Sequence, residues 1–124
     1  MNKRILVVDD DLGIVMFLKR ILEREGYEVT TVEDSAWALA EFQAGGHDLV
    51  LTDKSMPGMD GLQLIEVIRG FSPKTPTILH TTESAELTMC DLSKVTKVLA
   101  KPAGRKEILL AVEEALQAGS TPPA

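Results

Sequence analysis

The chain has 124 residues, a formal net charge of −6, 44% hydrophobic residues, 4% aromatic residues and a single cysteine, Cys90. That length holds one domain with a real core and is too short for two. The acidity argues against direct contact with nucleic acid, and the scarcity of rings argues against a base-stacking platform. One cysteine excludes an internal disulfide, and no apolar run approaches the length of a membrane span.

The N-terminus carries no signal-peptide pattern, because Lys3 and Arg4 lead at once into a short apolar run ending in three aspartates, so a soluble cytoplasmic protein is expected. Lys3–Val8 reads as a buried strand and Gly13–Glu25 as a helix with Val15, Leu18, Ile21 and Leu22 on one face. Gly26 suits a left-handed helix cap. Tyr27–Val32 reads as a second strand, and Ser35 as the N-cap of a helix to about Ala44, with Ala38, Leu39 and Phe42 facing inward. Trp37 is expected to pack from that helix as well.

Asp48–Asp53 reads as a third strand, and Gly61–Phe71 as a helix with Leu62, Leu64, Ile65 and Ile68 as its apolar set. The run Ser72-Pro73-Lys74-Thr75-Pro76 is a connector, because proline disfavours continuing the helix. Thr77–Thr81 reads as a fourth strand, Glu83–Leu92 as a helix carrying Cys90 as a small filler, and Lys97–Ala100 as a fifth strand. Arg105–Ala118 reads as a final amphipathic helix bearing Ile108, Leu109, Val112 and Leu116. Residues 1–118 are thus expected to form the domain, and 119–124 a flexible tail or the start of a linker.

Five strands alternating with five helices imply a doubly wound α/β domain, a parallel sheet with helices on both faces. Ligands of such sheets bind beyond the carboxyl ends of the strands, where strand order reverses. Two strands here end in acid: Ile5-Leu6-Val7-Val8 runs into Asp9-Asp10-Asp11, and Leu49-Val50-Leu51-Thr52 ends on Asp53. Adjacent carboxylates repel one another unless a cation joins them, and magnesium favours oxygen ligands while keeping several waters. The plainer reading is a solvated N-cap cluster, a role that suits Asp11 well. Asp53 can attack phosphorus to give an acyl phosphate, or simply cap a turn. Thr81 ends the fourth strand with a hydroxyl that can donate to a phosphoryl oxygen, with Thr82 as its competitor. Lys101, before Pro102, can neutralise phosphoryl charge or be an ordinary loop residue. His80 is expected to fill a partly buried place in the fourth strand without a ligand role, and His47 to lie in a loop.

Taken together, Asp9, Asp10, Asp53, the turn Pro57-Gly58-Met59-Asp60-Gly61, Thr81 and Lys101-Pro102 resemble the receiver domain of two-component response regulators, from about Lys3 to Leu116. The resemblance implies the flavodoxin-like order 2-1-3-4-5 and a phosphoacceptor at Asp53. It also implies Mg2+ held by Asp10, Asp53, the Ser55 backbone carbonyl and, directly or through water, Asp9. Lys101 would pair with Asp53 at rest, precede a cis proline and, with Thr81, clamp the phosphoryl group; Ser55 and Glu83 would lie near the path of hydrolytic water. The implied partners are a histidine kinase or histidine phosphotransfer protein, and an output domain or downstream protein. The latter would meet the face made by the expected fourth helix, the fifth strand and the final helix, with the domain a monomer or a phosphorylation-dependent dimer.

The resemblance departs at Val98, where receivers usually carry a tyrosine or phenylalanine that swings inward on switching. Thr82 is bulkier than the usual small residue, and 87–96 lacks the usual glycine-containing helix end, so a short, irregular or mobile fourth helix is expected. Val98 and the irregular fourth helix motivate an alternative, a degenerate receiver acting as a phosphorylation-independent interaction module. A haloacid-dehalogenase-like phosphatase would want an aspartate where Ser55 stands. A flavin carrier would want a phosphate loop where the three aspartates stand.

Overall fold

The structure, a computed structural model, describes residues 2–82 and 91–120. In chain order the elements are β1 (Arg4–Val8), α1 (Leu12–Arg24), β2 (Glu28–Val32), α2 (Ser35–Ala44), β3 (Leu49–Asp53), α3 (Gly61–Phe71), β4 (Thr77–Thr81), β5 (Lys97–Ala100) and α4 (Arg105–Ser120). All pairings are parallel, in the order β2-β1-β3-β4-β5.

The strands are apolar on successive residues because both faces of the sheet are covered. Ile5, Val7, Leu49, Leu51, Ile78 and Leu99 pack with Leu18, Ile21 and Leu22 of α1 and with Ile108, Ala111, Val112 and Ala115 of α4. The alternate residues Leu6, Val8 and Val50 pack with Ala38 of α2 and with Leu64 and Ile68 of α3. Each Val, Leu or Ile among them that is buried in full contributes roughly 1.5–3 kcal/mol. The apolar faces expected of α1, α2 and α3 are those the structure buries, with Leu39, Phe42 and Leu62 partly covered. Ile108 and Val112 are buried in α4, with Leu109 and Leu116 at its margin.

Some expectations are corrected. The N-cap of α2 is Asp34, whose carboxylate accepts from the Trp37 N–H at 2.7 Å, and not Ser35. Ser35 is instead the first helical residue, and its hydroxyl donates to the Met59 carbonyl at 2.6 Å. Trp37 does not pack inward and stays 57% exposed, because the face that meets the sheet carries Ala38, Leu39 and Phe42. The last helix continues to Ser120, beyond its expected end at Ala118. Four helices lie among the described residues. Most of the helix expected at Glu83–Leu92, with Cys90 in it, falls outside them. Asp91 and Leu92 are not helical; Asp91 accepts from the Ser93 N–H at 2.9 Å and turns the chain toward β5.

Gly26 follows α1 at φ 94°, in the left-handed region expected of it. At Gly61 the constraint is space: a Cβ there would run into the Asp53 carbonyl, and Lys54 Cα would lie 3.0 Å away. The close approach is held by the Gly61 N–H, which donates to the Lys54 carbonyl at 2.8 Å. Gly61→Ala is expected to push α3 off the tip of β3 and to destabilise the fold by about 1–3 kcal/mol. Urea unfolding checks this, and an unchanged midpoint would contradict it.

Candidate functional site

The carboxyl ends of β1, β3 and β5 bring together residues far apart in sequence. Asp9 lies directly after β1 and is 1% exposed. Its Oδ1 accepts from the Asp11 N–H at 2.9 Å. Asp11 in turn caps α1, accepting from the Gly13 and Ile14 N–H groups at 2.9 and 3.2 Å, which is the role expected of it. One aspartate of the triplet therefore serves the helix, and two are left to face the cleft. Asp10 is exposed at the cleft mouth. Asp53, the last residue of β3, is 8% exposed.

Asp9, Asp10 and Asp53 can each offer a carboxylate oxygen within 4.8 Å of the others. The Lys101 ammonium reaches in from the end of β5 and donates to Asp53 Oδ1 at 3.0 Å and to Asp9 Oδ2 at 3.1 Å. The pairing with Asp53 matches expectation, and the equal contact with Asp9 was not foreseen. The Lys101–Pro102 peptide is cis, as the resemblance implied. The Lys101 N–H donates to the Thr81 carbonyl at 2.9 Å, tying the ends of β4 and β5. Thr81 is 1% exposed, whereas Thr82 is exposed.

Ser55 lies on the surface and shares an open depression with Asp10, Met56, Pro57 and Asp60. The loop bearing it is anchored at its far end by a capping box, in which Asp60 and Gln63 exchange bonds of 2.9 and 3.0 Å. The Ser35 hydroxyl on Met59 is a second anchor that the sequence reading missed, because a serine beside Asp34 offers the same cap signal. Glu83 lies outside the described residues.

Burial pushes the Asp53 carboxyl above its ordinary range, and the charge of Asp9 adds to this. The Lys101 ammonium and the Lys54 backbone N–H pull the other way without cancelling it. For Lys101, burial acts downward, but the hydrogen bonds and charges of Asp53 and Asp9 outweigh it and hold the ammonium above its usual value. Three carboxylates against this one ammonium leave the cluster with excess negative charge. Such a donor set suits a hard divalent cation: magnesium takes oxygen ligands, and three carboxylate oxygens that lie within 4.8 Å of one another can share one ion. The residues present therefore fit magnesium.

His80 is a further buried titratable group, 4% exposed, on β4 in register with Asp53. Neither ring nitrogen has a hydrogen-bond partner among the described residues. Burial, helped by the Lys101 charge and opposed by Asp9, lowers its pKa from 6.5 to about 4. A base with a depressed folded-state pKa binds fewer protons when folded, so its contribution is complete above pH 6.5 and is lost as pH falls toward 4. Wild type should lose on the order of 3 kcal/mol more than His80→Leu across that window. Parallel pH–stability curves for the two proteins would contradict this.

Against known proteins, the family model for the response regulator receiver domain matches residues 5–113. The chain is 32% identical, over all of its length, to the DNA-binding response regulator MtrA of Mycobacterium tuberculosis, and covers 55% of that protein. Over 69% of its length it is 37% identical to the alkaline phosphatase synthesis transcriptional regulatory protein PhoP of Bacillus subtilis, of which it covers 36%. The chain thus spans about half or less of the length of these relatives. A CheY-like receiver domain protein from Methanospirillum hungatei superposes with a TM-score of 0.90 at 32% identity, covering 96% of this chain and 97% of that one. TrrA from Thermotoga maritima, in complex with Mg2+-BeF, superposes with a TM-score of 0.86 at 35% identity, covering 91% of this chain and 98% of that one.

Proposed function

This chain belongs to the response regulator receiver domain family, and we propose that within it Asp53 accepts a phosphoryl group from the phosphohistidine of a histidine kinase or histidine phosphotransfer protein. The observation that carries the reading is the meeting of Asp9, Asp10, Asp53 and Lys101 beyond the carboxyl ends of the strands.

An Asp53 carboxylate oxygen attacks phosphorus, the P–N bond to the donor imidazole breaks, and an acyl phosphate forms on Asp53. Lys101, already poised on Asp53, follows the phosphoryl oxygens as a point charge, and the Thr81 hydroxyl donates to one of them. Asp9, Asp10, Asp53 and the Ser55 backbone carbonyl are the groups that would hold magnesium, which when bound neutralises phosphoryl charge. Positioning and charge neutralisation account for most catalysis in transfers of this kind. The domain is a signalling module whose chemistry is confined to its own phosphorylation and dephosphorylation.

The added charge and acceptor oxygens bias a two-state equilibrium in the distal face, which includes β5 and α4. Val98 and Leu110 expose 40% and 57% of their surface on those elements, and an output domain or downstream protein would meet them there. A net charge of −6 supports a protein partner over direct nucleic-acid contact by this domain. No helix among the described residues is long and apolar enough to cross a membrane, and we assign the domain to the cytoplasm, as a monomer or a phosphorylation-dependent dimer. Incubation with acetyl phosphate followed by intact mass tests the reading. One phosphoryl adduct is expected with magnesium and none with chelator, and absence of an adduct under both conditions would sink it.

A further inference from the structure

His80 has no part in the chemistry above, yet it is the most anomalous side chain near the site. Its ring is buried beside Leu99, which pairs with it across the sheet, and on its other side the register partner is Asp53. An apolar side chain would sit there without cost, whereas an imidazole with no partner on either nitrogen among the described residues is unfavourable. A partner gained in another state of the molecule would offset that cost. The charges that act on the ring are those of Lys101 and Asp9, both members of the site. Lys101 has three N–H groups, two of which go to Asp9 and Asp53 in this structure. A neutral imidazole has one acceptor nitrogen, and among the described residues nothing donates to it.

We propose that His80 is a positioning residue for Lys101. When Asp9 and Asp53 are engaged by the cation and the phosphoryl group, an N–H of the Lys101 ammonium turns to the buried ring nitrogen of His80, which holds the lysine on the phosphoryl oxygens. This rests on the reading of Asp53 as phosphoacceptor. The bond fixes one rotamer of a long side chain at the moment its charge is needed, which is the use of a preorganised neighbour. His47 also lacks a partner on either ring nitrogen among the described residues, but it lies before β3 at the opposite end of the sheet, stacked 6.5 Å from the Phe42 ring, and the cation that acts on it is Arg4, which is no part of the site.

The test uses the whole chain with its histidines labelled with 15N, loaded with magnesium and beryllofluoride, and read by imidazole nitrogen shifts, with His47→Asn to assign the two rings. Loading should move the unprotonated His80 nitrogen to a hydrogen-bonded shift and leave His47 unmoved. In parallel, His80→Leu should take phosphate from acetyl phosphate about tenfold more slowly, the effect of losing one hydrogen bond to a charged group. Its magnesium affinity should stay at the wild-type value and its thermal midpoint should rise, because two unpartnered polar atoms are gone. His80→Gln, whose amide oxygen can accept the same bond, should recover most of the rate. A wild-type ring that does not shift while the 19F signal of bound beryllofluoride appears overturns the inference and leaves the function of Asp53 standing; so does His80→Leu labelling at the wild-type rate. If wild type takes neither beryllofluoride nor phosphate, both readings fall together.

Discussion

Asp53→Asn is expected to take no phosphoryl group from acetyl phosphate at any magnesium concentration, and to remain folded. Asparagine preserves the shape of the side chain but replaces a nucleophilic oxygen by an amide, which does not form an acyl phosphate. Asp10 is exposed and Asp9 is buried with both oxygens in hydrogen bonds, so neither has the same approach from solvent in a fixed geometry. The fold should tolerate the change well. Asp53 sits with its carboxyl pushed above its ordinary range by burial and by the Asp9 charge, so neutralising it removes a repulsion. Asp9 keeps Lys101 in the variant. A carboxyl raised on folding contributes stability below its unfolded pKa and loses it as pH rises through the folded one, so at neutral pH wild type lacks that contribution. Metal-free Asp53→Asn should therefore unfold at the same temperature as wild type or a little higher, while binding magnesium more weakly. Intact mass and thermal unfolding measure these, and undiminished labelling of the variant would show that phosphate goes elsewhere.

Much of this site could be anticipated because a parallel α/β sheet converts sequence position into spatial position. Apolar runs ending at Val8 and Asp53 place their acidic ends on the same edge, since parallel strands all point one way. The register then sets Asp53 beside His80, and the end of β4 beside that of β5. The strand order itself came from resemblance, because handedness and alternation alone allow several doubly wound orders. What stayed hidden depends on side-chain choices among near-equal local options. Asp34 and Ser35 are both good caps, and the carboxylate takes the cap while the hydroxyl reaches Met59. Trp37 lies off the buried face of α2, where size and apolarity suggested packing. That Lys101 divides its ammonium between two carboxylates is a three-body geometry with no signature in spacing. For His80, the sequence suggested partial burial; a nearly buried ring lacking a partner among the described residues appears only once the neighbours are in place.

Lys101→Ala should separate the ion pairing of this ammonium from the role proposed for it on the phosphoryl group. Without magnesium, removing it leaves Asp9 and Asp53 facing each other in a pocket where they are 1% and 8% exposed. Breaking a buried pair by deleting one partner costs roughly 3–5 kcal/mol, and the open side of the cleft at Asp10 puts the expected loss near 3 kcal/mol. The loss should be largest at neutral pH and recede on acidification, because the Asp53 carboxyl, already raised, would rise further and take up a proton more readily in the folded state. Magnesium should restore what the lysine supplied: a ligand that binds only the folded state at about a hundred times its Kd adds about 2.7 kcal/mol. Its affinity should be at least that of wild type, since a competing cation is gone. Phosphoryl transfer is different, because the proposed role of Lys101 is a second positive charge on the phosphoryl oxygens that a metal held by the carboxylates would not replace, and labelling by acetyl phosphate should slow by about a hundredfold. Urea unfolding with and without magnesium, together with the labelling rate, reads all three effects. A variant as stable as wild type without metal would mean that the short Lys101 contacts carry little energy. A variant that fails to bind magnesium would mean that Lys101 orders the carboxylates rather than balancing them.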